Sequence, residues 1–92
     1  MWMQWDQLII DAIEQRRTLK FRYHNEVRLA EPHTFGRDKN EHKALSAYQI
    51  NKGWRFFHLA DMREVTTGDH FPAARPGYVR FDSRMEHIWA QL

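Results

Sequence analysis

The spacing of apolar residues changes along the chain. Trp5, Leu8, Ile9, Ala12 and Ile13 recur at i, i+3, i+4, i+7 and i+8, one face of a 3.6-residue period, which predicts an amphipathic helix. Asp6 and Asp11 stand toward its N-terminal half while Arg16 and Arg17 close it, an order that suits the helix dipole. From Thr18 to His24 the period falls to two. Leu19, Phe21 and Tyr23 alternate with Lys20, Arg22 and His24, which predicts a half-buried strand with a basic outer face. Asn25-Glu26 reads as a tight turn into a second strand, Val27 to Glu31. Pro32 ends that strand or confines it to an edge or bulge, because proline donates no ladder hydrogen bond.

The polar run from Phe35 to Glu41, punctuated by Gly36, reads as a loop. Lys43 to Ile50, then Asn51-Lys52-Gly53, then Trp54 to Met62 read as strand, turn and strand, the three turn residues ending in Gly fitting a bulged hairpin. Val65-Thr66-Thr67 predicts a short strand. Gly68-Asp69 and Arg75-Pro76-Gly77-Tyr78 predict turns, and Val79-Arg80-Phe81 a last strand. Ser83-Arg84-Met85-Glu86 has the form of a capping box, with Met85, Ile88, Trp89 and Leu92 behind it at helical spacing, so a C-terminal helix is expected. The order is helix, five or six short strands, helix. That order predicts a mainly β fold: a small antiparallel sheet or barrel with an N-terminal and a C-terminal α-helix packed on it. Trp5 and Trp89 lie on the helical stripes and are assigned to packing, whereas Trp2 stands outside them.

Composition narrows the setting. Ninety-two residues make a single domain over residues 1–92. Aromatic residues make up 14%, enough to bury a core and to exclude a disordered chain. Fourteen Lys and Arg against 12 Asp and Glu leave a formal charge of +2, too little to identify a nucleic-acid partner from charge alone. No apolar run approaches the roughly 20 residues that span a bilayer, and the N-terminus lacks the basic start of a signal peptide. The absence of cysteine excludes disulfides, thiol catalysis and Cys-ligated zinc and suits a cytoplasmic setting.

Catalytic signatures are missing. His24, His33, His42, His58, His70 and His87 form no HxxxH or HxH pair, so neither a metal nor another cofactor is expected. Ser46 and Ser83 lack a nucleophile elbow, and the four glycines are widely separated turn residues. No enzyme is expected; a phosphodiester hydrolase would need a constellation the chain does not display. The basic and aromatic residues carry more information. Arg28, His33, Arg37, His42, Tyr48, Arg55 and Arg75 are the candidates for a ligand face, Arg and His meeting phosphate and Tyr48 stacking on or hydrogen-bonding a base. The partner would be a nucleotide or short single-stranded nucleic acid. Two other readings stand beside this one. The charges can form an ordinary solvated exterior, or the aromatic excess can serve a homodimer or a larger regulatory partner through Trp2, Trp5 and the C-terminal helix.

Several segments together resemble a known family. Leu8-Ile9-Ile10-Asp11-Ala12-Ile13 followed by Thr18-Leu19-Lys20-Phe21-Arg22-Tyr23 resembles the opening of the WYL domain family, an amphipathic helix and then a strand ending in Tyr. Arg28-Leu29-Ala30-Glu31-Pro32 resembles its Arg-x-x-x-Pro strand end, and Phe57 to Val65 its later strand with trailing aliphatics. Lys43-Ala44-Leu45 stands where the family has Trp-Tyr-Leu, and Asp61 where it has Arg. The resemblance covers residues 8–65 and is to a compact, stand-alone branch. It implies an Sm-like/SH3-like β-barrel and a role in ligand sensing, with nucleotides or nucleic-acid pieces as ligands, in bacterial transcription regulators and defence-associated proteins. Residues 1–17 precede the first predicted strand, too few for the helix-turn-helix domain such regulators carry, so autonomous sequence-specific transcription control is not expected.

Overall fold

In a computed structural model, which describes residues 4–92, the helical stripe forms α1 (Asp6–Gln15). Six strands follow among the described residues: β1 (Arg17–Tyr23), β2 (Glu26–Asp38), β3 (Lys43–Gln49), β4 (Gly53–His58), β5 (Met62–His70) and β6 (Met85–Gln91). Trp2 lies outside the described residues. Helix α1 buries Ile9, Ile10, Ala12 and Ile13, with Trp5 and Leu8 packed at the margin of the core. It ends at Arg16, whose left-handed backbone (φ 53°) turns the chain straight into β1. There the alternation holds: Leu19, Phe21 and Tyr23 are buried, Lys20 and Arg22 exposed. The hairpin turn is His24-Asn25, one residue earlier than the pattern indicates. Both residues have positive φ (50° and 64°), the form whose twist matches that of the flanking strands.

β2 organises the sheet and differs most from expectation. It runs through Pro32 and takes in the polar stretch read as a loop, reaching Asp38. One edge pairs with β3 from Ala30 to Arg37. The other pairs with β1 up to Ala30 and with β6 from Thr34 onward. Pro32 sits where that second edge changes partner, and a register shift between Pro32 and Thr34 accommodates it, so the missing N–H interrupts little. The strand order is β4-β3-β2-β1-β5, with β6 also on β2 and every pair antiparallel. β4 and β5 end that order, so the sheet does not close, and among the described residues a single α-helix covers it. The strand expected through Met62 breaks at a 3-10 turn, Leu59–Asp61, and Val79 to Phe81 form no strand.

The C-terminal helix is instead strand β6. Register shifts opposite Phe35/Gly36 and Arg37/Asp38 place Met85, Ile88 and Gln91 across from Asp38, Gly36 and Thr34, alternate residues of β2. Two extra residues in a strand turn its period of two into an apparent period of three, and this mimics a helical stripe. The capping box is a turn. The Asp82 carboxylate accepts the Arg84 N–H at 2.9 Å and its carbonyl accepts the Met85 N–H at 3.0 Å, while Ser83 is exposed.

Phe21, Phe35, Phe57, Ile9, Ile13, Leu19, Leu45 and Met62 form the fully buried core. Trp89 packs on Phe35 with ring centroids 5.2 Å apart. No helix among the described residues is long and apolar enough to cross a membrane.

Candidate ligand-binding face

Alternation on β3 and β4 divides their side chains between two faces. Leu45, Ala47 and Phe57 turn to the core. On the opposite face Tyr48 pairs with Trp54, Ser46 with Phe56 and Ala44 with His58. Trp54, Phe56 and His58 therefore form a row of half-buried rings along β4. Tyr48 meets Trp54 edge-on at 5.7 Å, and Phe56 meets His58 at 5.9 Å. Two guanidinium groups lie on this face: Arg84 stands 4.3 Å from the Phe56 ring centroid and Arg75 stands 4.5 Å from that of Tyr48. Both come from the segment between β5 and β6. That segment is anchored by the Trp54 indole N–H, which donates to the Pro76 carbonyl at 3.1 Å, and by Trp54–Tyr78 stacking at 6.4 Å. Thr34, Ser46, Trp54, Tyr78 and Arg84 line a cleft of about 310 Å³ between segment and sheet.

Carboxylates hold the two cations. Glu31, opposite Tyr48 in the sheet, receives Arg75 through two bonds of 2.6 and 3.1 Å. Asp82 receives Arg84 at 3.0 and 2.6 Å; this hydrogen bonding holds the Asp82 carboxyl below the usual carboxylate range against the effect of burial. Each guanidinium is thus fixed in place and largely neutralised, which favours stacking over phosphate binding.

The seven residues chosen from sequence separate. Tyr48 and Arg75 meet as described. His42 is exposed at the far end of the same face, its ring 5.1 Å from that of His58. Arg28 turns inward, hydrogen-bonding Gln49 and the Tyr23 carbonyl, pairing with Glu26 at 3.0 Å and lying over the rings of Tyr23 and Phe57. Arg37 stands opposite Lys43 and His87, across the sheet from Tyr48 by strand alternation. Arg55 is exposed on the edge strand, donating to the Trp54 carbonyl.

His33 is fully buried beneath Trp54, Phe71 and Tyr78, and its role is structural. The Arg75 backbone N–H donates to its Nε2 at 3.0 Å, so the proton sits on Nδ1, which donates to the Glu31 carbonyl at 2.8 Å. Burial pushes its pKa below the ordinary 6.5, outweighing the Glu31 carbonyl bond and the Glu31 charge, which raise it; the Arg75 charge lowers it further. The unfolded chain therefore takes up this proton more readily than the folded one. Stability from this group is complete above pH 6.5 and declines as pH falls through the folded pKa. Urea midpoints measured from pH 7.5 to 5 should fall in that window, and His33→Gln should flatten the decline.

A second group gathers where β2 turns into β3. The Asp38 Oδ1 accepts the N–H groups of Asn40 and His42, both at 2.9 Å. The Asp38 N–H donates to the His42 carbonyl at 2.8 Å. The other carboxylate oxygen lies 3.6 Å from His42 Nδ1 and 3.5 Å from His58 Nε2. The His42 N–H bond holds the Asp38 carboxyl below the usual carboxylate range against the effect of burial, helped by the Asn40 N–H and the two imidazoles. His42 and His58 also line a cleft of about 540 Å³ with Trp5, Lys43, Met62 and Arg63.

Trp54, Phe56, His58, Arg84 and Asp38 escaped the sequence reading. Alternate rings at 54, 56 and 58 were a legible signal, since a strand there must place them on one face. The positions of Asp38 and Arg84 depend on contacts distant in sequence. The chain matches no protein-family model, no curated protein and no solved structure.

Proposed function

We propose that this chain is a binding module that holds a nucleotide or a short single strand of nucleic acid across the outer face of β3 and β4. The reading rests on the half-buried row Trp54, Phe56 and His58, flanked by Tyr48. Alternate strand residues stand roughly 6.6 Å apart, and aromatic rings displayed in this way on a sheet are the usual platform for unpaired bases. Phe56 and Trp54 provide stacking surface. Arg75 and Arg84, committed to carboxylates, shape the platform, whereas exposed Lys52 in the β3–β4 turn meets phosphate; Arg55, opposite Ala47 in the sheet, lies on the other side. The resemblance of residues 8–65 to the WYL family supports a role for such a module in ligand sensing and regulation in a bacterial cytoplasm.

Anisotropy of a labelled single-stranded oligomer, titrated at several salt concentrations, tests the proposal. Phe56→Ala should weaken binding by about 1–3 kcal/mol with no change in salt slope, because stacking releases no counterions. Lys52→Ala should flatten the slope by about 0.7, one phosphate contact. Absence of binding at low salt, or an unaffected Phe56→Ala variant, defeats the reading. Exposed Val27, Leu29, Val79 and Phe81 support a second reading, a protein-interaction or homo-oligomerising subunit. Mass that rises with concentration in light scattering, together with no oligomer binding, would favour it.

A further inference from the structure

We propose that Asp38, His42 and His58 form a three-ligand site for a divalent transition-metal ion of the zinc class. The inference goes beyond nucleic-acid binding and does not depend on it. One ligand atom from each residue lies within 4.8 Å of the others. The Asp38 Oδ2 is 3.6 Å from His42 Nδ1 and 3.5 Å from His58 Nε2. Both spacings are longer than the range of a good hydrogen bond. Both are close to the edge, about 3.4 Å, of a tetrahedron whose metal–ligand bonds are about 2.0–2.1 Å. Two of the three edges of the ligand triangle are thus nearly at coordination length, and the third lies within 4.8 Å.

The scaffold fixes these positions before any ion arrives. The two N–H groups on Asp38 Oδ1 orient the carboxylate and leave Oδ2 turned toward the imidazoles. Such hydrogen bonding from outside the ligand set orients metal ligands and contributes to affinity. His42 belongs to the same turn, closed by the Asp38–His42 backbone bond and by the Glu41 N–H donating to the Asp38 carbonyl at 3.0 Å. His58 lies on β4, its backbone N–H bonded to the Tyr23 hydroxyl at 3.1 Å. Two imidazoles and one carboxylate select zinc, cobalt, nickel or copper over magnesium and calcium, which prefer oxygen donors throughout. Three protein ligands leave a fourth position. His42 and His58 line the cleft that also holds Lys43 and Arg63, so that position is open to water or to an anionic group entering there.

Calorimetric titration of chelator-treated protein with zinc chloride at pH 7.5, without any oligomer, tests the site. One ion per chain is expected. The visible bands of tetrahedral cobalt are expected when Co²⁺ replaces zinc. His42→Gln and His58→Gln should each weaken zinc binding by at least about tenfold, while His87→Gln leaves it unchanged. Zinc should raise the melting temperature of the parent chain and not that of His58→Gln. Asp38→Asn should lose zinc likewise; if it unsettles the turn, the two histidine variants decide. No zinc uptake, or uptake undiminished in both His42→Gln and His58→Gln, overturns the proposal.

Discussion

Replacing Phe21 with Ala is expected to cost about 3–5 kcal/mol of folding stability, the range for truncating a buried phenylalanine. Phe21 is 1% exposed. Its ring meets Phe57 edge-on at 4.9 Å and Tyr23 at 6.4 Å, so the substitution removes both hydrophobic burial and ring–ring contacts from the centre of the cluster shared by α1 and the sheet. The rigid strand backbone on which Phe57 and Tyr23 sit cannot collapse fully into the space left, and a cavity adds to the transfer cost. For a domain whose total stability is of order 5–15 kcal/mol, the loss is a large share. Urea denaturation followed by tryptophan fluorescence should show a lower midpoint with an unchanged slope. A midpoint equal to that of the parent chain would place Phe21 outside the core.

Gly36→Ala is expected to be comparably damaging through a different cause. A Cβ at this position would stand 2.1 Å from the His87 carbonyl oxygen and 3.1 Å from the Ile88 Cα, so β6 has to move away from β2. The obstructing atoms are backbone and cannot rotate aside, which puts the cost at about 3 kcal/mol or more, the upper end of overpacking effects. Amide hydrogen exchange should show protection lost across β6 and retained in β1. Gly53→Ala is the control: its Cβ would meet nothing within 4 Å, leaving only the unfavourable backbone angle (φ 102°). If Gly36→Ala retains β6 protection and parent stability, the close approach of the two strands is not as described.

These two positions mark the boundary between what was legible and what was not. Phe21 was placed correctly because its environment follows from strand alternation alone. Gly36 lies in the stretch that reads as a loop, since the residues pressed against it, His87 and Ile88, stand far along the chain and nothing local distinguishes a glycine in a turn from one packed against a paired strand. The site residues divide in the same way. Tyr48 emerged as a stacking candidate from its strand. Arg28, His33 and Arg75 are expected from their charge to meet phosphate, yet their hydrogen bonds include Gln49, Glu31 and, for His33 and Arg75, each other, partners that charge alone does not reveal.

The sequence by itself determined α1, the inward face of β1, the β3–β4 hairpin and the predominance of strands. Each of these follows from periodicity over a few residues, where helix and strand differ in which neighbours share a face. Tertiary structure alone decided that β2 continues past Pro32, that the C-terminal stripe is a bulged strand, and that Asp38, His42 and His58 converge. The β3–β4 pairing sets His58 opposite Ala44, beside the turn that holds Asp38 and His42, while the first two outcomes share another reason. β2 exchanges β1 for β6 along one edge while β3 holds the other, and the hydrogen bonds that make this exchange favourable join residues tens of positions apart. No local pattern records such bonds, so a period of three on a bulged strand and a period of 3.6 on a helix remain alike until the partner strand is present.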